Sequence, residues 1–177
     1  MAAGIAGGTF TTANGGNSVA IGTAAQATGL GAIALGGDGT DIFTTYDDDS
    51  NTLTPEIPIP GGTDSGAIAL GSNSLALGVD ALAAGNSSIA IGRLAFASGS
   101  NSTASGTFSI ASGTSSTATG NASTASGFGS TATGPNSTAS GSSSTASGSF
   151  SFASGSSSTA SGFSSNAAGN NSTASGA

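Results

Sequence analysis

The sequence predicts an all-β protein: a parallel β-roll or solenoid built from 14-residue coils with two strands in each coil. Three observations lead to this fold class. Glycine recurs at every seventh position, small and variable residues alternate strictly within each seven-residue unit, and charge is nearly absent. Of the 177 residues 31 are glycine and only 5% are charged, while serine, threonine and alanine supply most of the rest, so an ordinary globular core built from leucine, isoleucine, valine and phenylalanine is out of reach.

The glycine repeat runs without interruption from Gly71 to Gly176, and Gly22, Gly29 and Gly36 share its spacing. When each heptad is written to end in its glycine, position five is always alanine and position three is always serine or alanine. Positions four and six vary together. This period of two within a period of seven predicts a strand of about four or five residues, followed by a turn in which glycine supplies a positive φ.

A coiled coil also repeats every seven residues, but the composition excludes it. One glycine in each heptad would destabilise a helix by about 1 kcal/mol at every occurrence, and the many threonines and serines add to that penalty. The repeat is therefore interpreted as strands and turns.

Stacking parallel strands about 4.8 Å apart places equivalent positions of successive coils over one another. Positions three and five then line a thin interior, and positions four and six face outwards. The outer positions are apolar in alternate heptads, since Gln26 and Thr28 lie between two apolar units, so one sheet is expected to be apolar outside. Such a stripe is expected to bury against other copies of the chain as an oligomer seam, formed by Val19, Ile21, Ile33, Leu35, Leu75, Leu77, Ile89 and Ile91.

The repeat divides the chain into four segments. Residues 1–15 are degenerate repeats or the boundary of a fragment, residues 16–36 and 65–177 are regular repeats, and residues 37–64 form an acidic insertion that is expected to be a loop or hairpin. Seven of the eight acidic residues lie in this insertion. Because it is the non-repetitive part of the sequence, we expect any specific ligand contact there, at Tyr46, Asp47, Asp48 and Asp49.

The residue types argue against an enzyme and against a cofactor. Histidine, cysteine and lysine are absent and there is one arginine, so the sequence offers no general base that could activate a serine for catalysis. It also offers no basic surface that could bind the phosphate groups of a nucleic acid. The insertion alternates acidic residues as calcium loops do, but Thr52 and Pro58 stand where glycine and glutamate are needed. A solvated acidic loop is the favoured interpretation, with a weak cation site as the alternative.

The coils GNSVAIG (16–22), SNSLALG (72–78) and NSSIAIG (86–92), followed by serial STASG units, resemble the head repeats of trimeric autotransporter adhesins, the YadA-like heads of haemagglutinin and invasin type. The resemblance implies a homotrimer of left-handed parallel β-rolls on the surface of Gram-negative bacteria. It also implies a virulence function in cell adhesion, through attachment to host cells and extracellular-matrix proteins. Outer-membrane anchoring would come from stalk and anchor segments that this sequence does not contain.

Two other functions remain open at this stage. Thr-Ala-Ser and Thr-Ala-Thr recur every seven residues, which is compatible with an ice-binding solenoid, and the array is also compatible with a purely structural spacer. Four phenylalanines at turn positions are expected to pack at corners or between protomers, with exposed ligand anchors as the alternative; they are Phe108, Phe128, Phe150 and Phe163.

Overall fold

The computed structural model describes residues 4–8, 10–37 and 66–176, and in these ranges the chain forms a two-sheet parallel β-solenoid. Each coil contributes one strand to an 11-stranded sheet, called sheet A, and the next strand to a 10-stranded sheet, called sheet B. All pairings are parallel, and each residue pairs with its equivalent two heptads later, as Thr103 does with Thr117. The all-β class and the 14-residue coil predicted from the sequence are confirmed.

The strands of both sheets are short. Sheet A contains β1 (Ile5–Gly7), β3 (Val19–Ile21), β5 (Ile33–Leu35), β7 (Leu75–Leu77), β9 (Ile89–Ile91), β11 (Thr103–Ala104), β13 (Thr117–Ala118), β15 (Thr131–Ala132), β17 (Thr145–Ala146), β19 (Thr159–Ala160) and β21 (Thr173–Ala174). Sheet B contains β2 (Thr12–Ala13), β4 (Gln26–Ala27), β6 (Ile68–Ala69), β8 (Leu82–Ala83), β10 (Phe96–Ala97), β12 (Ile110–Ala111), β14 (Thr124–Ala125), β16 (Thr138–Ala139), β18 (Phe152–Ala153) and β20 (Asn166–Ala167).

These strands have two or three residues, so the predicted length of four or five residues is wrong. The turn takes the rest of the heptad. In a typical unit the amide of Ser102 donates to the carbonyl of Gly99 at 3.2 Å, which closes a four-residue turn that includes the heptad glycine and position three. Only positions four to six remain for the strand.

The left-handed residue of each turn is position two of the heptad, not the glycine. Asn101 has a φ of 58° and Ser115 one of 57°, as the third residue of a type II turn requires. Heptad glycines have a positive φ only after the three-residue strands of sheet A, as in Gly78 and Gly92. The prediction that the heptad glycine supplies the positive φ is therefore wrong for Gly29, Gly71 and Gly85, which follow strands of sheet B, and for the heptad glycines from Gly99 onwards.

Close stacking of the coils is the reason for glycine at position seven. A Cβ added to Gly106 would lie 2.5 Å from the carbonyl oxygen of Gly120 in the next coil, and Gly162 has the same relation to Gly176. No carbon atom fits at that distance, so any other residue would push the coils apart at this corner.

Hydrogen bonds join neighbouring coils along the strands and also along the turns. In one heptad the amide of Asn101 donates to the carbonyl of Asn86 at 2.9 Å, Thr103 donates to Ser116 at 2.9 Å and Ser105 donates to Ala118 at 2.8 Å. Because turns and strands both pair with the coil above or below, nearly the whole backbone takes part in the ladder.

The interior consists of alanine and serine from the facing sides of the two sheets. The position-five alanines from Ala20 to Ala167 are buried, together with the serine or alanine at position three. Small side chains let the two sheets approach closely and leave no room for a large residue or a ligand between them. Any binding function therefore belongs to the outer surfaces.

The repeat continues in register across the insertion. Strand β5 pairs with β7, with Ile33 opposite Leu75. Gly37 and Gly66 both lie against the same turn, since an added Cβ would be 3.3 Å from the Thr23 amide at Gly37 and 2.7 Å from the Ala24 carbonyl carbon at Gly66. The predicted contact residues Tyr46, Asp47, Asp48 and Asp49 lie outside the described residues.

Candidate interaction surfaces

The outer face of sheet A carries an apolar stripe made of two adjacent rows. The strands β3, β5, β7 and β9 align the position-four residues Val19, Ile33, Leu75 and Ile89 in one row and the position-six residues Ile21, Leu35, Leu77 and Ile91 in the other. All eight residues of the predicted seam therefore share one face of one sheet.

This stripe is open to solvent in the single chain. Ile21 is 50% exposed and Ile91 is 37% exposed, and Ile33 and Leu77 are also exposed. The other four side chains are half-buried. Large exposed apolar patches are a feature of interaction sites, which makes this stripe a candidate interface.

One more residue extends the stripe towards the N-terminus. Ile5 on β1 pairs with Val19 and is 62% exposed. Ile5 is not among the predicted seam residues, because residues 1–15 follow the repeat imperfectly. The heptad phase set by Gly8 would have identified it, since Ile5 lies at position four of that unit.

Beyond β9 the same face becomes hydroxylated. Thr103, Thr117, Thr131, Thr145 and Thr159 occupy position four in successive strands of sheet A, and a serine or threonine follows each of them at position six. The face is thus divided into an apolar N-terminal part and a threonine ladder, which pair in one continuous parallel register.

Sheet B carries a second apolar patch, which contradicts the expectation that only one sheet is apolar outside. Its strands β6, β8, β10 and β12 align Ile68, Leu82, Phe96 and Ile110 at position four. That expectation rested on the polar heptad around Gln26, which is not representative of the alternate heptads. Gln26 instead pairs with Ile68 at the border of the patch.

The turns along one edge of the roll display aromatic side chains. Phe150 and Phe163 meet edge to face, with ring centroids 5.9 Å apart. Phe108 lies under the guanidinium of Arg93, whose Cζ is 5.4 Å from the ring centroid, a cation–π contact. These three rings pack against neighbours within the chain as predicted, yet each keeps about half or more of its surface exposed.

Phe128 lies on the opposite edge, because it belongs to a heptad that leads into sheet A, and it is exposed. Asparagines on that edge strengthen the stacking. The Asn86 side-chain oxygen accepts a hydrogen bond from the Ser72 amide at 3.1 Å, and Asn170 does the same for Ser156 at 3.0 Å. Asparagine at these turns therefore supports the ladder.

The described residues offer little chemistry beyond these surfaces. Within them there is no group of three or more histidine, cysteine, aspartate or glutamate side chains that could hold a metal ion. No helix in the described ranges has the length and apolar character needed to cross a membrane. Charge is limited there to Asp80 and Arg93.

Comparison with known families fits this arrangement of surfaces. The family model of the YadA head domain repeat, which spans two copies of the repeat, matches residues 13–38, 69–95, 97–123, 125–151 and 153–177. Together these matches cover well over half of the chain. The chain belongs to the YadA head family. A search of curated proteins gives no match.

The YadA head matches follow the coils described above. Each match is close in length to two successive coils, and the matches resume after the insertion, which the family repeat does not contain. The resemblance inferred from the sequence is confirmed. YadA heads are adhesin-type structural repeats rather than enzymes and form the surface-exposed part of trimeric autotransporters.

Proposed function

We propose that this chain is the head of a homotrimeric bacterial surface adhesin and that three copies bury the apolar stripe of sheet A along a common axis. The observation that carries the proposal is the two-row stripe from Val19 to Ile91 on one flat face. Identical stripes on parallel chains meet by rotation about an axis along the solenoid. The family membership supports the number three.

The seam is tested by placing a charge on it. Ile89→Lys would bury a lysine against the partner stripes and is expected to give a monomer in light scattering, because an unpaired charge in an apolar interface is strongly destabilising. Thr124→Lys puts the same charge at position four of sheet B and is expected to leave the trimer intact. A trimer in both variants would exclude sheet A as the seam.

For the adhesive activity we propose that the outer surface of the trimer attaches the bacterium to host cells and extracellular-matrix proteins, with outer-membrane anchoring through other segments of the full protein. The surface repeats from coil to coil and is nearly uncharged, so binding is spread over many equivalent sites and avidity exceeds the affinity of each. We assign virulence and haemagglutinin activity to this same surface.

Two binding measurements test this activity. The protein is expected to adhere to surfaces coated with extracellular-matrix proteins, and the monomeric Ile89→Lys variant is expected to adhere much more weakly, since it lacks the other two copies. Equal adhesion by monomer and trimer would contradict multivalent attachment. The proposed contact at Tyr46, Asp47, Asp48 and Asp49 is tested by deleting residues 37–64, which is expected to weaken host-protein binding.

A second candidate function, ice binding, is favoured by the threonine ladder of sheet A. The rungs from Thr103 to Thr159 pair in register on one face, and a flat, regular array of hydroxyl and methyl groups is what this function needs. The same face would be buried in the proposed trimer. Thermal hysteresis in a solution of the folded trimer would favour ice binding and would require the ladder to face water.

A further inference from the structure

We propose that three phenylalanines at one corner of the roll form a binding site for neutral oligosaccharides. This inference rests on the adhesin function proposed above and names the class of ligand. The residues are Phe150, Phe152 and Phe163, called the corner cluster. Phe150 and Phe163 lie in the turns that lead into β18 and β20, and Phe152 lies on the outer face of sheet B. Their side chains are 56%, 60% and 41% exposed, in that order.

The fold does not require aromatic side chains at these places. In the preceding coil, Asn136 and Thr138 stand at the positions that Phe150 and Phe152 take in the cluster. The turn backbone is the same in both coils, with a φ of 54° at Asn136 and 57° at Phe150. Polar residues therefore serve the stacking equally well, whereas exposed phenylalanines reduce solubility. A ligand outside the chain explains why the rings are there.

Two of the rings hold each other in place. Phe150 and Phe163 meet edge to face, with centroids 5.9 Å apart and ring planes at 73°. This contact orients both rings but covers less than half of either side chain. A ligand therefore meets rings that are already oriented, so binding costs little side-chain entropy.

The surroundings of the rings are polar but uncharged. Exposed Asn136 and Ser164 stand on either side of Phe150 in the position-two row, and exposed Asn166 pairs with Phe152 on sheet B. No charged side chain occurs between residues 94 and 177. A sulfated glycan or a charged peptide would therefore meet no opposite charge here.

A neutral sugar has the matching chemistry. The C–H groups on one face of a pyranose ring carry partial positive charge and pack against the negative face of an aromatic ring. The hydroxyl groups of the sugar can donate to and accept from amide and hydroxyl side chains, which the corner supplies at Asn136, Ser164 and Asn166.

The corner cluster stays accessible in the proposed trimer. Phe152 faces outwards from sheet B, whereas the trimer buries the outer face of sheet A. Each copy then presents one cluster and a trimer presents three, which raises the avidity for a surface that carries many glycans.

The test uses the folded trimer on a printed array of neutral glucose- and galactose-containing oligosaccharides, with sulfated oligosaccharides as the charged comparison. We expect binding to neutral members, and calorimetry gives the dissociation constant for the strongest of them. Phe150→Ser and Phe152→Thr introduce residue types that other coils carry at the same positions. Each is expected to weaken binding at least about 10-fold, as for loss of an aromatic anchor, and either one carries the test if the other fails to fold.

The matched control is Phe128→Ser, which removes a ring that is 63% exposed on the opposite edge of the roll and is expected to leave the dissociation constant unchanged. Equal weakening in this control overturns the proposal, since any exposed ring would then suffice. A preference for sulfated members also overturns it. A trimer that adheres to matrix proteins but binds no neutral oligosaccharide overturns the glycan site and leaves the adhesin function standing. Oligosaccharide binding without matrix adhesion upholds the site and contradicts matrix attachment.

Discussion

At the scale of single residues, the heptad is governed by two backbone requirements located at different positions. Position seven must lack a Cβ, because the carbonyl of the next coil occupies that space, as at Gly106. Position two must accept a left-handed conformation, and asparagine, serine, alanine and even phenylalanine occur there with φ between 51° and 58°. Glycine is therefore invariant at position seven because of packing, whereas the residue type varies at position two, where the backbone is strained.

The packing requirement predicts that Gly106→Ala destabilises the fold by about 3 kcal/mol, the upper range for overpacking, because the new methyl group meets a rigid carbonyl. Thermal unfolding followed by circular dichroism measures the change. Gly176→Ala is the control, since no atom lies within 4 Å of its added Cβ, and its effect is expected to stay within about 0.5 kcal/mol. Similar losses in both variants would contradict stacking as the cause.

The conformational requirement predicts opposite effects for the same substitution at two alanines. Ala122 has a φ of 52°, so Ala122→Gly is expected to stabilise the protein by about 1 kcal/mol through relief of the left-handed strain. Ala118 lies buried in β13, and Ala118→Gly is expected to destabilise by about 1 kcal/mol or more. Denaturant unfolding compares the two, and a loss of stability for Ala122→Gly would refute the assignment of strain.

At the scale of the elements, each strand presents alanine at position five and a small residue at position three to the interior. Several position-three serines leave a buried hydroxyl without a hydrogen-bond partner, as at Ser144 and Ser158. In other heptads the hydroxyl donates to the glycine that precedes it, as from Ser123 to Gly120 at 2.8 Å. Alanine also occurs at this position, at Ala32 and elsewhere, so the strand needs small volume there rather than a hydroxyl.

We therefore expect Ser144→Ala to raise the free energy of unfolding by about 1 kcal/mol, because a buried hydroxyl without a partner costs about 1–3 kcal/mol. Ser123→Ala removes a buried hydrogen bond and is expected to lower it by about 1 kcal/mol. Both side chains are fully buried, which makes the pair a matched comparison by chemical denaturation. If both variants lose stability equally, the Ser144 hydroxyl is bonded in solution.

At the scale of the whole molecule, successive heptads contribute strands alternately to sheet A and sheet B, because a coil consists of two heptads. Removing a single heptad therefore places every later strand in the other sheet. Deleting residues 72–85 removes one full coil and leaves every later strand in its own sheet. Deleting residues 72–78 moves every later strand to the other sheet, so that Leu82 follows Ile33 on sheet A and Ile89 leaves it.

Both shortened chains are expected to remain β-rich, because all heptads share the same interior and repeat folds gain stability from neighbouring units. The full-coil deletion is expected to remain trimeric in light scattering, since it keeps both apolar rows of sheet A aligned. The single-heptad deletion keeps an apolar position-four row but replaces the position-six row with Ala84, Ser98 and Ser112, so its trimer is expected to dissociate at a higher protein concentration. Equal trimer stability in the two variants would show that the position-six row does not contribute to the seam.

Much of this architecture follows from the repeat alone. The invariant alanine and glycine predict the coil, the parallel register and the small-residue interior, and the apolar residues at positions four and six of alternate heptads predict the eight residues of the sheet A stripe. The patch on sheet B was missed because one polar heptad, around Gln26, stands before the insertion and the apolar ones stand after it. A wider comparison of position four would have found Ile68, Leu82, Phe96 and Ile110.

The sequence by itself determined the coil length, the fold class and the family, because a period of two inside a period of seven leaves few ways to bury small residues. Only the tertiary structure showed why glycine is needed at position seven, which residue of the turn is strained and how deeply Ile68 and Leu82 are buried. These features depend on contacts between atoms that lie a full coil or more apart along the chain. A local sequence pattern does not predict the distances between such atoms.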